Sequence, residues 1–158
     1  MFKHSNSRIQ EDHEMKSYDV IVLLKLLANR EKIFTQTEIG QQTILSIGSI
    51  NSAIKRLMKA NLLTFNAEKE HRINSPLCIE LLVSAVKFMF PAKLGEMTCG
   101  RKTAGDCPLL SENLTKGSDP VLVWPYENGT QRGMTYEPLY PTVPHALTMY
   151  PDEDFYRY

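Results

Sequence analysis

Between residues 46 and 60 the chain strings together side chains able to bond the polar edges of another polymer. They are Ser46, Ser49, Asn51 and Ser52, followed by Lys55, Arg56 and Lys59. Hydroxyls and amides donate to and accept from base edges, whereas lysine and arginine neutralise phosphates. No acidic residue falls in this run, and its polar residues are short ones rather than the Glu and Lys that commonly fill a solvated helix face. Covalent chemistry finds no comparable grouping. The phosphate-cradling G-x-x-x-x-G-K-S/T, the dinucleotide G-x-G-x-x-G, the zinc H-E-x-x-H and the nucleophile G-x-S-x-G are all missing. His4, His13, His71 and His145 are scattered, and no spacing sets a nucleophile beside a base. The chain therefore reads as no enzyme. Cys78, Cys99 and Cys107 have no C-x-x-C spacing. Cys99 and Cys107 with His145 form a weak metal candidate, outweighed by free thiols in a reducing cytoplasm, so neither metal nor cofactor is expected.

Presenting that run to a groove requires two helices. Thr35 and Glu38 stand in the capping-box relation, hydroxyl to amide and carboxylate to amide, so a helix starts there and runs through Ile39 to about Thr43. Gly40 removes bulk where two helices cross closely. Ser46 is an N-cap for the second helix, along which Ile47, Ile50, Ile54 and Leu57 recur at three- and four-residue steps as a buried stripe. Asn61 follows the last turn, where a left-handed residue is needed and Asn substitutes for Gly.

Thr-Gln-x-Glu-Ile, then Ser-Ile-x-Ser-Ile-x-x-Ala-Ile-Lys-Arg-Leu-x-x-Ala-x-Leu-Leu, resembles the helix-turn-helix of bacterial winged-helix transcriptional regulators of the MarR-like type. The resemblance covers about residues 16–90, with Asn61 where those regulators more often carry Gly. It implies a sequence-specific double-stranded DNA-binding regulator, a repressor-type homodimer. The expected DNA-contacting set is Thr35, Gln36, Ser46, Ser49, Asn51, Ser52, Lys55, Arg56, Lys59, Lys69 and Arg72. Asn51 or Ser52 would reach base edges, and Lys55, Arg56, Lys59 and Arg72 would meet phosphates. Arg56 also has a second reading, as one half of an intramolecular ion pair.

Composition is ordinary for a soluble globular protein of 158 residues, with zero formal net charge. Residues 1–76 hold 11 Lys and Arg against 8 Asp and Glu, and the remainder 7 against 10, so the first half is mildly basic. No signal peptide is visible and no apolar run approaches the ~18 residues of a membrane span; a cytoplasmic protein is expected. Residues 1–16 read as a mobile, polar N-terminal arm. Ser17 can cap an all-round apolar helix from Tyr18 to about Asn29, central to the core. Ile33 or Phe34 is a candidate short strand. Leu62–Phe65 and His71–Asn74 read as the two strands of a wing turning at 66–70. Ser75-Pro76 starts a helix, Leu77–Phe90, whose excess apolar surface calls for a second partner, either the tail or another subunit.

The expected organisation is thus an arm (1–16), a winged helix-turn-helix domain (17–76), a linking or dimerisation helix (77–91) and a C-terminal extension (92–158). The fold is mainly α with a small β wing. Eight of the nine prolines lie from Pro91 onward, so the extension is expected to be sparsely regular and to wrap over the 77–90 helix and the domain, in the same chain or across a dimer. Trp124-Pro125-Tyr126-Glu127-Asn128-Gly129 reads as a strand entering a turn. Two other functions fit the same residues. One is a protein-interaction adaptor that uses the aromatic extension around Arg101, Lys102, Trp124, Arg132 and Glu137 without DNA. The other is a sensor whose extension binds a small-molecule effector.

Overall fold

The computed structural model describes residues 14–103, 106 and 120–150. The expected arm lies outside these apart from residues 14–16, as does Cys107. Helix α1 (Ser17–Ala28) begins one residue earlier than expected. The Asp19 carboxylate accepts the Lys16 amide at 2.8 Å, so the third helical residue, not Ser17, closes the N-terminus. Helix α2 (Gln36–Thr43) opens on the expected capping box: the Thr35 hydroxyl accepts the Glu38 amide at 3.2 Å and the Thr35 amide donates to Glu38 at 2.8 Å. Helix α3 (Ile47–Lys59) is capped by the Ser46 hydroxyl, which accepts the Ser49 amide at 3.1 Å.

The two ends of α3 are tied differently. At its C-terminus Asn61 takes φ 57°, the Leu62 amide reaches the Leu57 carbonyl and the Asn61 amide the Met58 carbonyl, both at 3.0 Å. This is the Schellman closure that Asn at this position permits. Between α2 and α3, Gly40 keeps bulk out of a close passage: a methyl group there would stand 3.0 Å from the Leu45 carbonyl and 3.4 Å from Ile47. The turn also forces Ile44 to φ 56°, which a β-branched side chain adopts only under strain.

Strands β1 (Leu63–Phe65) and β2 (His71–Ile73) pair antiparallel, Leu63 with Ile73, Thr64 with Arg72 and Phe65 with His71. Asn66 organises their turn, its side-chain carbonyl accepting the Glu68 amide at 3.0 Å and the Glu70 amide at 2.8 Å. Residues 33 and 34 form no strand; Phe34 is instead a buried core residue. The helical path after the hairpin is broken in register. α4 (Ser75–Glu80) gives way to a π turn (Leu81–Ala85) and then α5 (Val86–Met89). Asn74, not Ser75, is its N-cap, accepting the Leu77 amide at 3.4 Å.

The main core gathers Val22, Leu23, Leu26 and Leu27 of α1, Ile39 of α2, Ile50, Ala53, Ile54 and Leu57 of α3, with Leu62, Leu63 and Cys78. Ile47 is the exception to the expected stripe, being 45% exposed. It sits in the first turn of α3 at the rim of the α2–α3 contact, its Cδ1 beside Gly40 and the rest of its side chain open.

The extension is more regular than its proline content suggests. β3 (Leu94–Lys102), β4 (Leu122–Pro125) and β5 (Gln131–Tyr136) each pair with both others: β3 antiparallel to β4 and to β5, and β4 parallel to β5. Three strands close on themselves only if backbones touch. Gly100 and Gly133 are the buried residues that allow it, since a side chain at Gly100 would collide with the Trp124 carbonyl and one at Gly133 with that of Val121. The prolines fall at the ends and outside these strands, where no ladder donor is lost.

Helix α6 (Val143–Met149) then docks on α1, with Val143 and Leu147 packed on Ile21 and with Trp124, Leu139 and Tyr140 alongside. The Thr142 hydroxyl also donates to the Thr43 carbonyl at the end of α2, at 3.0 Å. The extension therefore packs on the helical domain at α1 and the end of α2, and covers little of the 77–90 helix. Its residues 136–139 line a hollow with Val86, Met89 and Phe90, while Ile79, Val83 and Phe88 remain 46%, 66% and 76% exposed. Among the described residues no helix is long and apolar enough to cross a membrane.

Relief of the strain at Ile44 is measurable. Ile44→Asn is expected to raise stability by about 1 kcal/mol in urea unfolding, because Asn tolerates the left-handed conformation far better than a β-branched residue.

Candidate nucleic-acid interface

The outward side of α3 follows from what its inward side must do. Ile50, Ala53, Ile54 and Leu57 face the core, and the helical period then turns Asn51, Lys55 and Lys59 to solvent, all exposed, with Ser49 and Ser52 half-buried beside them. The helix carries no carboxylate. Ser46 is exposed, but its hydroxyl accepts the Ser49 amide and lies 2.9 Å from the Ser49 hydroxyl. Its first role is therefore the cap. The Thr35 hydroxyl is engaged in the same way, donating to Glu38 at 2.8 Å. The Thr35 amide, and after it the hydroxyl, hold the Glu38 carboxyl below its ordinary range, so the cap is charged near neutral pH. Gln36 is half-buried at the start of α2.

Arg56 is where the expected phosphate set is corrected. Its side chain is 5% exposed and points inward. Its Nε donates to Asp19 Oδ2 and its Nη2 to Asp19 Oδ1, each at 2.7 Å. The same Nη2 donates to the Tyr18 hydroxyl at 2.8 Å. The hydrogen bonds from Asp19 push the Arg56 pKa further up, and Tyr18 adds to this against the opposing effect of burial. Tyr18 also lies under the guanidinium, 5.3 Å from ring centre to Cζ, and meets the edge of Tyr140 from the extension. A guanidinium spent on a two-pronged buried carboxylate is unavailable to a phosphate. The ion-pair reading of Arg56 is the one the geometry supports.

The β-hairpin supplies two further exposed cations. Lys69 stands at the turn with φ 63°. Arg72 projects from β2 beside Thr64, its side chain 69% exposed, with Glu70 at 3.4 Å. A surface pair of this kind is weak and releases its cation at small cost. The hairpin's other side, carrying Phe65 and His71, faces a cavity beneath it. The described residues thus put Asn51, Ser52, Lys55, Lys59, Lys69 and Arg72 at accessible positions and withdraw Arg56. Ile47 and Gly48, both exposed at the first turn of α3, join that surface. The stripe pattern hid Ile47, and only the way α3 packs on α2 leaves it at the rim. Cys99 is exposed and Cys78 buried, where loss of solvent pushes the Cys78 thiol up to about 11.

No protein-family model, curated protein or solved structure matches the chain.

The Asp19–Arg56 pair has a defined signature. Asp19→Ala strands a buried guanidinium and is expected to cost about 3–5 kcal/mol in urea unfolding. The double substitution Asp19→Ala with Arg56→Leu is expected to cost less than the two single ones added together, because the second change removes the charge that the first left unpaired.

Proposed function

We propose that the protein is a winged-helix, sequence-specific double-stranded DNA-binding transcriptional regulator acting as a dimer in the cytoplasm. One observation carries this reading: the solvent side of α3 offers Asn51, Ser52, Lys55 and Lys59 with no carboxylate among them. A helix of this composition fits a major groove, Asn51 reading a base edge and the lysines meeting phosphate. The β-hairpin takes the part of the wing, its Lys69 and Arg72 reaching backbone or minor groove. The apolar strip of Ile79, Val83, Phe88 and Met89 supports a homodimer, which would set two α3 helices against the halves of a palindrome.

The runner-up is a protein-interaction adaptor with the same fold. The zero formal net charge favours it, since no global field draws in nucleic acid.

Gel shift against the duplex upstream of the coding region separates the two readings. Retardation is expected, with affinity falling steeply between ~50 and ~200 mM salt. Asn51→Ala should cost about 1–3 kcal/mol of discrimination at one base position, and Lys55→Ala should lower the salt slope by about 1. Binding indifferent to salt, or no retardation, favours the adaptor. Val83→Glu, at a position 66% exposed, is expected to convert the dimer to monomer in light scattering without lowering the melting temperature of the subunit. An unchanged mass would remove the helical strip from the dimer contact.

A further inference from the structure

Two neighbouring residues in the first turn of α3 are not explained by the packing of the chain itself. Ile47 is 45% exposed, touching the α2–α3 contact only at its rim. Gly48 beside it is exposed as well. Its φ is not positive, and among the described residues a methyl group on it would meet only the Ser46 hydroxyl, at an ordinary 3.8 Å. An added side chain at Gly40, Gly95, Gly100, Gly129 or Gly133 would press on a neighbour at 3.2 Å or less. Those glycines answer to this chain's own contacts, and Gly48 does not. Gly inside a helix is nevertheless less stable than Ala. A glycine that the fold does not require, on an exposed helix face, suits the close approach of a partner's surface.

Both residues lie around Asn51. Ile47 is four residues before it on one ridge of α3, which Lys55 continues four residues later, and Gly48 is three residues before it, nearer the middle of the outward face. Resting on the duplex-binding reading above, we propose that the first turn of α3 reads thymine. Gly48 lets the helix backbone approach the major-groove edge closely, and the Ile47 side chain packs on the C5 methyl of a thymine near the base that Asn51 bonds. The N-terminal residues of a recognition helix are the ones that meet base edges. In the major-groove pattern the thymine methyl is the apolar mark among donors and acceptors, so it is the match for an apolar side chain presented there. Four residues of helix rise about 6 Å, and successive base pairs lie about 3.4 Å apart, so the two contacts fall within about two base pairs. Asn pairs with adenine through N6 and N7, which makes both contacts A·T pairs. The absence of a carboxylate on α3, with Lys55 and Lys59 farther along it, supplies the charge match to the flanking phosphates.

The duplex is obtained first, by selection from a random pool with the full-length wild-type protein. Each thymine in it is then replaced singly by deoxyuridine, which removes the methyl alone. Replacement at one thymine is expected to weaken binding about fourfold, the worth of one buried methyl-sized group. Ile47→Ala is expected to bind the thymine and deoxyuridine duplexes equally. Gly48→Ala is expected to raise the urea midpoint and yet weaken binding at least ~10-fold, because a methyl group overpacks a close contact; a glycine serving only the fold would not separate the two. If no deoxyuridine duplex binds more weakly than its parent, the proposal is overturned and the regulator reading stands. Gly48→Ala binding as tightly as the wild type overturns it in the same way. If the wild-type protein retains no duplex from the pool, both are overturned. The wild-type comparison of thymine with deoxyuridine decides the matter even where a variant fails to fold.

Discussion

A single buried ion pair sets the orientation of everything that faces outward. Asp19 on α1 grips Arg56 on α3 with both carboxylate oxygens at 2.7 Å, and one of those oxygens also closes the N-terminus of α1. Apolar packing alone leaves helices some freedom to roll against each other; a two-pronged charge-assisted contact does not. Once Arg56 is turned inward, the helical period decides that Asn51, Lys55 and Lys59 point away. Tyr18 and Tyr140 extend the network to the C-terminal extension, so the far end of the chain bears on the same contact. Whether such pairs add net stability over an apolar substitute is a separate matter; their consistent effect is that removing one partner is costly.

Helix α1 is the beam between two halves. One side supplies Val22, Leu23, Leu26 and Leu27 to the main core, and Ile21 on another side receives Val143 and Leu147 of α6. Because the extension spends its apolar residues there, it leaves the α4–α5 path bare. The π turn at Leu81–Ala85 sharpens this division: Leu81 and Leu82 pack toward the core while Val83 and Ser84 are exposed. An inserted residue shifts the helical register, and such turns recur where a helix must serve two surfaces.

Among the described residues, three without glycine's freedom take left-handed backbone: Ile44, Asn61 and Lys69. Asn61 is chemically suited to it, and the Schellman closure around it is unstrained. Ile44 is not suited. Its strain sits in the turn that fixes the angle between α2 and α3, held because Gly40 lets the turn close tightly and the helices on either side are anchored in the core. Local preference loses there to tertiary packing.

Local chemistry alone determined the capping box at Thr35 and Glu38, the Ser46 cap, the Asn61 closure, the Ile50–Ile54–Leu57 stripe and the hairpin around Asn66, because each depends on residues a few positions apart. The length of the all-round apolar α1 was equally legible. What the tertiary structure decided are contacts across long separations. Arg56 had two readings until Asp19, 37 residues away, was seen to claim it, and a phosphate contact was the wrong one. Prolines and glycines suggested little regular structure after residue 92, yet glycines at crossing points are what let three strands close. The side of α1 that the extension covers and the apolar strip it leaves bare arise from how separate segments meet. Periodicity records which side of an element is apolar, but not which distant side chain will cover it.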